Sequence, residues 1–367
     1  MAKRVIIFGK FDILHPGHME LIRSARKLGQ VTVVLESDQA IGKFRNYLPY
    51  NKESLRKNQL QKLGLEVYLR NKQNAGEILT DLKPDILVFG QDQLMLHKIF
   101  SDFKNKKIIP LVSPEIFKSS KLRSVLEDRN TGIYLVDKKK GVNSFNVVTI
   151  FRKILNIKKV GFSGTLDPLA SGLLIVATGS ATRLLDWFHF WPKIYIADIL
   201  FGQTSDTFDL EGKITQNKKA KPFSQNELEK VLQKFVGRQI QLAPIYSAKK
   251  IGGQKLHKLA RQGKEVARPA KEIEIYNLKI KSFRYPNLKL EVSCSVGTYI
   301  RSLADDLGQA MKTGALLADL RRDKIGDFSV DQAIVFDQID KPTLAKKRIE
   351  PPYVIDSLNR YFLDLTD

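Results

Sequence analysis

One acid stands alone in the run Gly161-Phe162-Ser163-Gly164-Thr165-Leu166-Asp167-Pro168-Leu169-Ala170-Ser171-Gly172. The run holds no other charge, and Gly161, Gly164 and Gly172 permit tight bends around the acid. Pro168 pushes Asp167 out of the helical region toward extended backbone. Residues 173–176, Leu-Leu-Ile-Val, then read as a short buried strand. The fold must therefore hold a single carboxylate out from a rigid loop beside a sheet. Taken alone, an Asp-Pro pair is an ordinary surface turn.

Size and charge narrow the rest. A chain of 367 residues suggests two or three domains, and 43% hydrophobic residues are ample for their cores. Lys and Arg number 61 against 39 Asp and Glu, a formal charge of +22. That excess favours a polyanionic partner, nucleic acid before membrane. Cys294 is the only cysteine. An intrachain disulfide and a cysteine zinc cluster are thus excluded, and a cytoplasmic home fits. No apolar run approaches a membrane span. Residues 5–8 are too short for a signal-peptide core and read as a first strand.

The polar stretch Glu127-Asp128-Arg129-Asn130-Thr131-Gly132 lies between apolar segments and marks a boundary. We place one domain at 1–125, a second at 132–330 and a short tail at 331–367. In the second domain, residues 133–136 read as a strand. The loop Asp137-Lys138-Lys139-Lys140-Gly141-Val142-Asn143-Ser144 follows, with Ser144 as the expected N-cap of a helix. Val147, Val148, Phe151, Ile154 and Leu155 form that helix's apolar stripe. Further on, Tyr195, Ala197, Ile199 and Phe201 share one strand face. Asp206 and Asp209 look at a glance like metal ligands. Residues 243–264 interleave cations with aromatics and glycines, a composition suited to gripping RNA. Leu290, Val292 and Cys294 alternate as a strand, which makes Cys294 an apolar filler. In Ser295-Val296-Gly297-Thr298-Tyr299-Ile300-Arg301-Ser302-Leu303-Ala304-Asp305-Asp306-Leu307-Gly308, Ile300, Leu303, Ala304 and Leu307 form the buried side of a helix. By spacing alone, Arg301 pairs with Asp305 at the next turn.

Across 132–330 these strings resemble the TruB family of tRNA pseudouridine synthases. The 161–172 run resembles the family's catalytic loop, and 138–144 its K-P-x-G-x-x-S motif, with Lys139 where proline is usual. Residues 193–207 resemble its K-x-Y strand, 243–264 its P-x-Y-S-A-x-K segment, and 295–308 its S-x-G-T-Y-I-R helix. Residues 316–322 resemble the domain's closing helix and strand. The resemblance implies a mixed-sheet domain that isomerises uridine to pseudouridine in the T-loop of tRNA (position 55 by convention), with no cofactor and no metal. It implies Asp167 as nucleophile, Tyr195 against the target uracil, and Arg301 as the partner that keeps Asp167 ionised, since an opposite charge lowers a carboxyl pKa. Lys138, Phe162, Tyr246, Lys249, Lys255, Arg261 and Tyr299 are expected on the RNA. Phe162 departs from the family, which usually has histidine there to fill or hold the space left by the flipped base. Phenylalanine can stack but cannot hydrogen-bond.

The first domain opens as strand, loop, helix, strand. Residues 5–8 are apolar, Gly9-Lys10-Phe11-Asp12-Ile13-Leu14-His15-Pro16-Gly17-His18 follows, Leu21, Ile22, Ala25 and Leu28 recur at helical spacing, and 31–35 is the next strand. That is the start of a parallel α/β sheet, which binds ligands at the carboxyl ends of its strands. The helix N-terminus offers N–H groups to phosphate, and His15 and His18 add donors. The loop resembles the HxGH signature of cytidylyltransferase-like nucleotidyltransferases. Residues 83–93 resemble that family's later nucleotide-contacting segment, 117–122 its Ser/Thr-rich segment, and Arg56 matches a family arginine loosely. The resemblance implies a Rossmann-like domain that binds ATP or CTP with Mg²⁺ through Phe11, His15, His18, Gly90, Asp92, Ser119 and Ser120. Such a domain transfers a nucleotidyl group to a phosphorylated alcohol, chiefly by positioning phosphates and stabilising charge.

The tail is too short for the PUA domain that often ends TruB proteins, and 353–362 pattern as one amphipathic helix. We expect an α/β domain followed by an α+β one, in a cytoplasmic monomer acting on tRNA and not on membranes. Two rival readings make the nucleotidyltransferase (FAD synthase- or cytidylyltransferase-like) the main activity, or the whole chain a non-catalytic tRNA-binding or tRNA-folding protein. Intact Asp167, Tyr195 and Arg301 argue against the latter.

Overall fold

The computed structural model describes residues 2–45, 48–70, 75–90, 107–111, 119–128, 131–244, 250–251, 254–255 and 268–364. The chain forms two compact units: Met1–Arg129 together with Glu350–Asp367, and Asn130–Ile349.

The first unit is built on strands β1 (Arg4–Gly9), β2 (Gln30–Glu36), β3 (Glu66–Arg70), β4 (Ile86–Gly90) and β5 (Lys107–Leu111). They form one sheet in the order β3-β2-β1-β4-β5, parallel throughout. Parallel strands need crossovers, and helices cover both faces, so the central strands are almost wholly apolar. Val5, Ile7 and Val88 pack with Met19, Ile22 and Ala25 on one face; Ile6, Phe8 and Leu87 pack with Ile78 and Leu79 on the other. This is the Rossmann-like arrangement expected of the N-terminal half. The strand order reverses at β1, so the loop leaving β1 opens at the switch point of the sheet.

The amphipathic pattern near the end of the chain does form a helix, Pro351–Asp364. It packs on the helices Pro16–Arg26 and Ser119–Glu127 of the first unit. Val354 and Ile355 are buried, and Asn359 Nδ2 donates to the Leu14 carbonyl at 3.0 Å. Residues 331–367 are therefore not one tail: the part up to Ile349 belongs with the second unit, the rest with the first.

The second unit carries β6 (Gly132–Lys138), β7 (Val160–Ser163), β8 (Ala170–Thr178), β9 (Lys193–Phe201), β10 (Gln203–Ser205), β11 (Ile214–Gln216), β12 (Gly237–Leu242), β13 (Lys250–Ile251), β14 (Gln254–Lys255), β15 (Ala270–Arg284), β16 (Asn287–Cys294), β17 (Ala315–Ile325), β18 (Phe328–Ser329) and β19 (Ile334–Val335). A ten-stranded mixed sheet runs β12-β15-β16-β9-β17-β8-β6-β19, with β7 on β8 and β18 on β17. Ala197, Ile199, Phe201, Leu290, Val292 and Cys294 bury Leu303, Ala304 and Leu307 of the helix Ile300–Ala310. Tyr134, Val136, Leu174 and Val176 bury Val147, Val148 and Phe151 of the helix Ser144–Leu155. The unit begins and ends on one pair of bonds: Ile133 N–H to Ile349 O at 3.1 Å and Ile349 N–H to Ile133 O at 2.8 Å.

Two local expectations are corrected. Asn143, not Ser144, caps the helix Ser144–Leu155, its side chain accepting from Phe145 N–H. Residues 316–322 lie within a single strand, β17, not a helix and a strand. β17 sits between β9 and β8, and apolar residues there run in sequence as they would in a buried helix, so periodicity cannot separate the two.

Candidate active site

Asp167 lies in the loop between β7 and β8, and backbone groups on either side of it are tied down. Ser144 Oγ donates to Leu166 O at 2.9 Å and accepts from Leu166 N–H at 3.0 Å. Gly141 N–H donates to Pro168 O at 2.8 Å, and Ala170 N–H to Asp167 O at 3.0 Å. Leu166 and Leu169 are buried. Two leucines thus pull the loop into the core while the Asp167 side chain stays 47% exposed. Ser144, expected only as a cap, is fully buried because it serves this loop.

Arg301 comes from the first turn of the helix Ile300–Ala310. Its Nη2 is 3.0 Å from Asp167 Oδ2 and its Nη1 is 3.2 Å from Asp209 Oδ2. The Asp209 side chain is only 3% exposed. One guanidinium therefore serves a buried acid and an open one. Asp305, the partner that spacing suggested, instead accepts from Gln309 Nε2 at 2.6 Å. Asp206 accepts from Lys213 N–H at 2.8 Å. Asp209 was missed as a member of this cluster; its signal was a carboxylate in need of a buried cation.

Tyr195 sits on β9, opposite Arg322 of β17 and Val292 of β16. Burial pushes its phenol pKa up, and the charge of nearby Arg322 acts against that. Arg322 is almost fully buried. Its Nε donates to Leu173 O at 2.7 Å and its Nη2 to Gly164 O at 2.9 Å. Sequence reasoning passed over it. Adjacent arginines in a strand face opposite sides, and Arg321 takes the other, paired with Asp137 at 2.8 Å.

Lys138 is corrected as an RNA contact. It is fully buried, and its Nζ donates to Val142 O at 2.7 Å and Lys139 O at 3.1 Å. Burial pulls its pKa down to about 8, Asp167 acting against that and Arg322 adding to it. The lysine braces its own loop under the site. Its neighbours Lys139 and Lys140 are the exposed ones, paired with Asp337 and Asp319, each at 2.6 Å. Lys193 at the start of β9 is also buried, donating to the carbonyls of Phe188, His189 and Trp191; burial lowers its pKa to about 7.

Phe162 is a partly buried residue of β7 packed against the core under the helix Ser144–Leu155. Tyr299 leads that other helix, Ile300–Ala310, its backbone held by the Gln241 side chain at 2.8 and 3.1 Å. Lys255 lies in β14, paired with Lys250 of β13. Tyr246, Lys249 and Arg261 fall outside the described residues.

In the first unit the loop leaving β1 brings Phe11, His15 and His18 together. The His15 and His18 rings stack at 3.7 Å, and Phe11 lies 4.9 Å from His18. Phe11 takes a left-handed φ of 46°, and its ring crowds Gly9 so closely that a Cβ there would sit 2.6 Å from it. Burial lowers the pKa of both histidines, that of His18 to about 3. Each is therefore a neutral imidazole at pH 7, able to donate one N–H. Arg56 is fully buried and holds Lys10, Glu36 and Asn51 carbonyls and the Asp38 carboxylate, which makes it a brace for this loop. Gly90 ends β4, and Ser119 and Ser120 start the helix Ser119–Glu127. Asp92 falls outside the described residues.

Comparison with known proteins matches both units. The family described as TruB family pseudouridylate synthase (N terminal domain) matches residues 152–300, and the cytidylyltransferase-like family matches 6–141. The tRNA pseudouridine synthase B of Clostridium tetani (strain Massachusetts / E88) is 37% identical over 233 residues, covering 64% of this chain and 81% of the relative. That of Endomicrobium trichonymphae is 39% identical over 220 residues, 60% of this chain and 96% of the relative. That of Fusobacterium nucleatum subsp. nucleatum is 43% identical over 201 residues, 54% of this chain and 69% of the relative. With a relative of this identity covered over most of its length, and with the Asp167–Arg301 pair in place, the chain belongs to the TruB family of pseudouridylate synthases, isomerases that modify RNA, and carries a cytidylyltransferase-like domain ahead of its synthase domain.

Proposed function

We propose that the second unit converts uridine to pseudouridine at position 55 in the T-loop of tRNA. The observation that carries this reading is the exposure difference within one ion-pair cluster. Of the two carboxylates on Arg301, Asp209 is closed off and Asp167 is open to a substrate. Asp167 acts as the nucleophile, either by attack on C1′ or by assisting glycal formation. The N1–C1′ bond breaks, the uracil turns, C5 bonds to C1′, and the C5 proton is exchanged for one on N1, so the reaction is an isomerisation. Tyr195 stacks on the extruded base and assists loss of the C5 proton. Arg301 holds the Asp167 carboxylate in place by an ion pair at 3.0 Å. Flipping the base out costs a few kcal/mol of stacking. Phe162, Tyr246, Lys249, Lys255, Arg261 and Tyr299 offset that cost by holding the RNA.

No cofactor takes part, and the protein works as a cytoplasmic monomer; among the described residues no helix is long and apolar enough to cross a membrane. The test is to incubate an unmodified tRNA transcript with the purified protein and map pseudouridine. The expected product is pseudouridine at the T-loop uridine and none when that uridine is replaced by cytidine. Pseudouridine only elsewhere in the tRNA, or none, overturns the reading.

A second activity is favoured by the stacked, neutral His15–His18 pair at the N-terminus of Pro16–Arg26. We infer that this loop binds ATP or CTP with Mg²⁺, with Phe11, Gly90, Asp92, Ser119 and Ser120 completing the site. The helix dipole and free N–H groups suit a triphosphate, and the Mg²⁺ would screen its charge. ATP or CTP with Mg²⁺ should raise the melting temperature, because a ligand that binds only the folded form stabilises it. His18→Ala should erase that rise and leave pseudouridine formation unchanged. If neither nucleotide shifts the curve at millimolar concentration, the domain is not a nucleotide site.

A further inference from the structure

We propose that Arg322 is a positioning residue for pseudouridylation, a single buried guanidinium that fixes the Asp167 loop and the Tyr195 ring relative to each other. The inference rests on the roles given to Asp167 and Tyr195 above. Its basis is where the residue stands. In β17, Arg322 is registered with Tyr195 of β9 on one side and with Gly172 of β8 on the other. The strand carrying the tyrosine and the strand that begins at the end of the Asp167 loop therefore meet at this residue.

Its donors grip the Asp167 loop from both sides. Nη2 holds Gly164 O, three residues before Asp167, at 2.9 Å; Nε holds Leu173 O, just beyond the loop, at 2.7 Å. Tyr195 stands directly opposite it on β9, close enough for the guanidinium charge to act on the phenol. Two glycines make room for this. Gly164 has φ 70°, and a Cβ there would lie 3.1 Å from Arg322 Nη1. Gly172 has φ 102°, and its Cβ would lie 2.3 Å from the Arg322 carbonyl oxygen. The glycines of the 161–172 run thus serve the approach of Arg322 as well as the bending of the loop.

Energetics points the same way. Among the described residues Arg322 forms no ion pair with a carboxylate. A buried cation without a counter-ion costs several kcal/mol, and a well-packed apolar side chain would hold the strands together at less cost. Only a planar group with several fixed donors can grip carbonyls on both sides of the loop at once while keeping its charge beside the Tyr195 strand. Its charge also reaches Lys138 and Lys193, in each case lowering the lysine pKa.

The experiment compares wild type, Arg322→Lys and Arg322→Gln in single-turnover pseudouridylation of a tRNA transcript across pH 6 to 10, beside tRNA binding and thermal melting of each. A loop displaced by about 1 Å loses on the order of 10²-fold in rate. Both variants should fall by about that factor in the chemical rate, with Kd for tRNA within about threefold of wild type. Arg322→Gln alone should move the alkaline limb of the profile to higher pH, because removing the positive charge raises the pKa of Tyr195 and of Lys138 while lysine keeps the charge. Rates within threefold of wild type overturn the inference. So does a loss that follows the folded fraction with an unchanged pH profile, which marks a purely structural arginine. Where Arg322→Gln does not fold, the Arg322→Lys rate against its tRNA affinity decides the matter. An inactive wild type overturns the functional reading itself, and the wild-type reaction shows which of the two has failed.

Discussion

Asp167→Asn should lower pseudouridine formation by about 10⁴-fold or more while leaving the fold and tRNA affinity nearly unchanged. Asparagine has the same shape but is neither a nucleophile nor a general base. The loop should keep its place, because its anchors are made by the backbone of Leu166, Asp167 and Pro168 and by the Ser144 hydroxyl. Arg301 keeps Asp209 as its counter-ion, so no buried cation is stranded. Single-turnover assays give the rate, and a gel shift with the same transcript gives the affinity. Turnover within tenfold of wild type would remove Asp167 from the role of nucleophile.

Arg301→Met should have two separable effects. Asp209 loses its only ion-pair partner among the described residues while 3% exposed, and an unpaired buried charge costs about 3–5 kcal/mol. Pseudouridine formation should also fall sharply, because Asp167 loses its counter-charge. Adding Asp209→Asn removes the stranded acid, so urea unfolding should show most of the stability restored. Activity should not return, since Asp167 still lacks Arg301. Recovery of both together would mean that Arg301 matters only for folding.

The parts of this molecule that were legible in the sequence are those written as contiguous strings. The Asp167 run, the Arg301 helix and the first strand-loop-helix-strand unit each combine local geometry with a family pattern, and the structure brings Asp167 and Arg301 to 3.0 Å. What was not legible depends on partners far along the chain. Lys138, Lys139 and Lys140 are equivalent as letters; only the pairing of Lys138 with Gly172 across β6 and β8 turns the first of them inward. Arg322 reads like Arg321 until β17 is known to lie between β9 and β8. Ser144 looked like a cap because its other task, holding Leu166, lies in a loop 22 residues away. The helix Pro351–Asp364 was visible as a pattern, but no pattern in it names Leu14 as its partner.

That helix has a consequence for how the chain is made and kept folded. The bond from Asn359 to Leu14 closes over 345 residues, a separation that would ordinarily make a slow and entropically costly closure. The synthase unit shortens it. Once folded, the unit pairs Ile133 with Ile349, so the polypeptide returns to within hydrogen-bonding distance of its point of departure. The synthase thereby acts as a clip that brings the start of the helix back near its point of departure, and the first unit receives its last helix only after the whole of the second has been synthesised. Loss of the Ile133–Ile349 pairing should therefore lower the melting temperature of the helix Pro351–Asp364 as well, an expectation that hydrogen exchange on that helix would check.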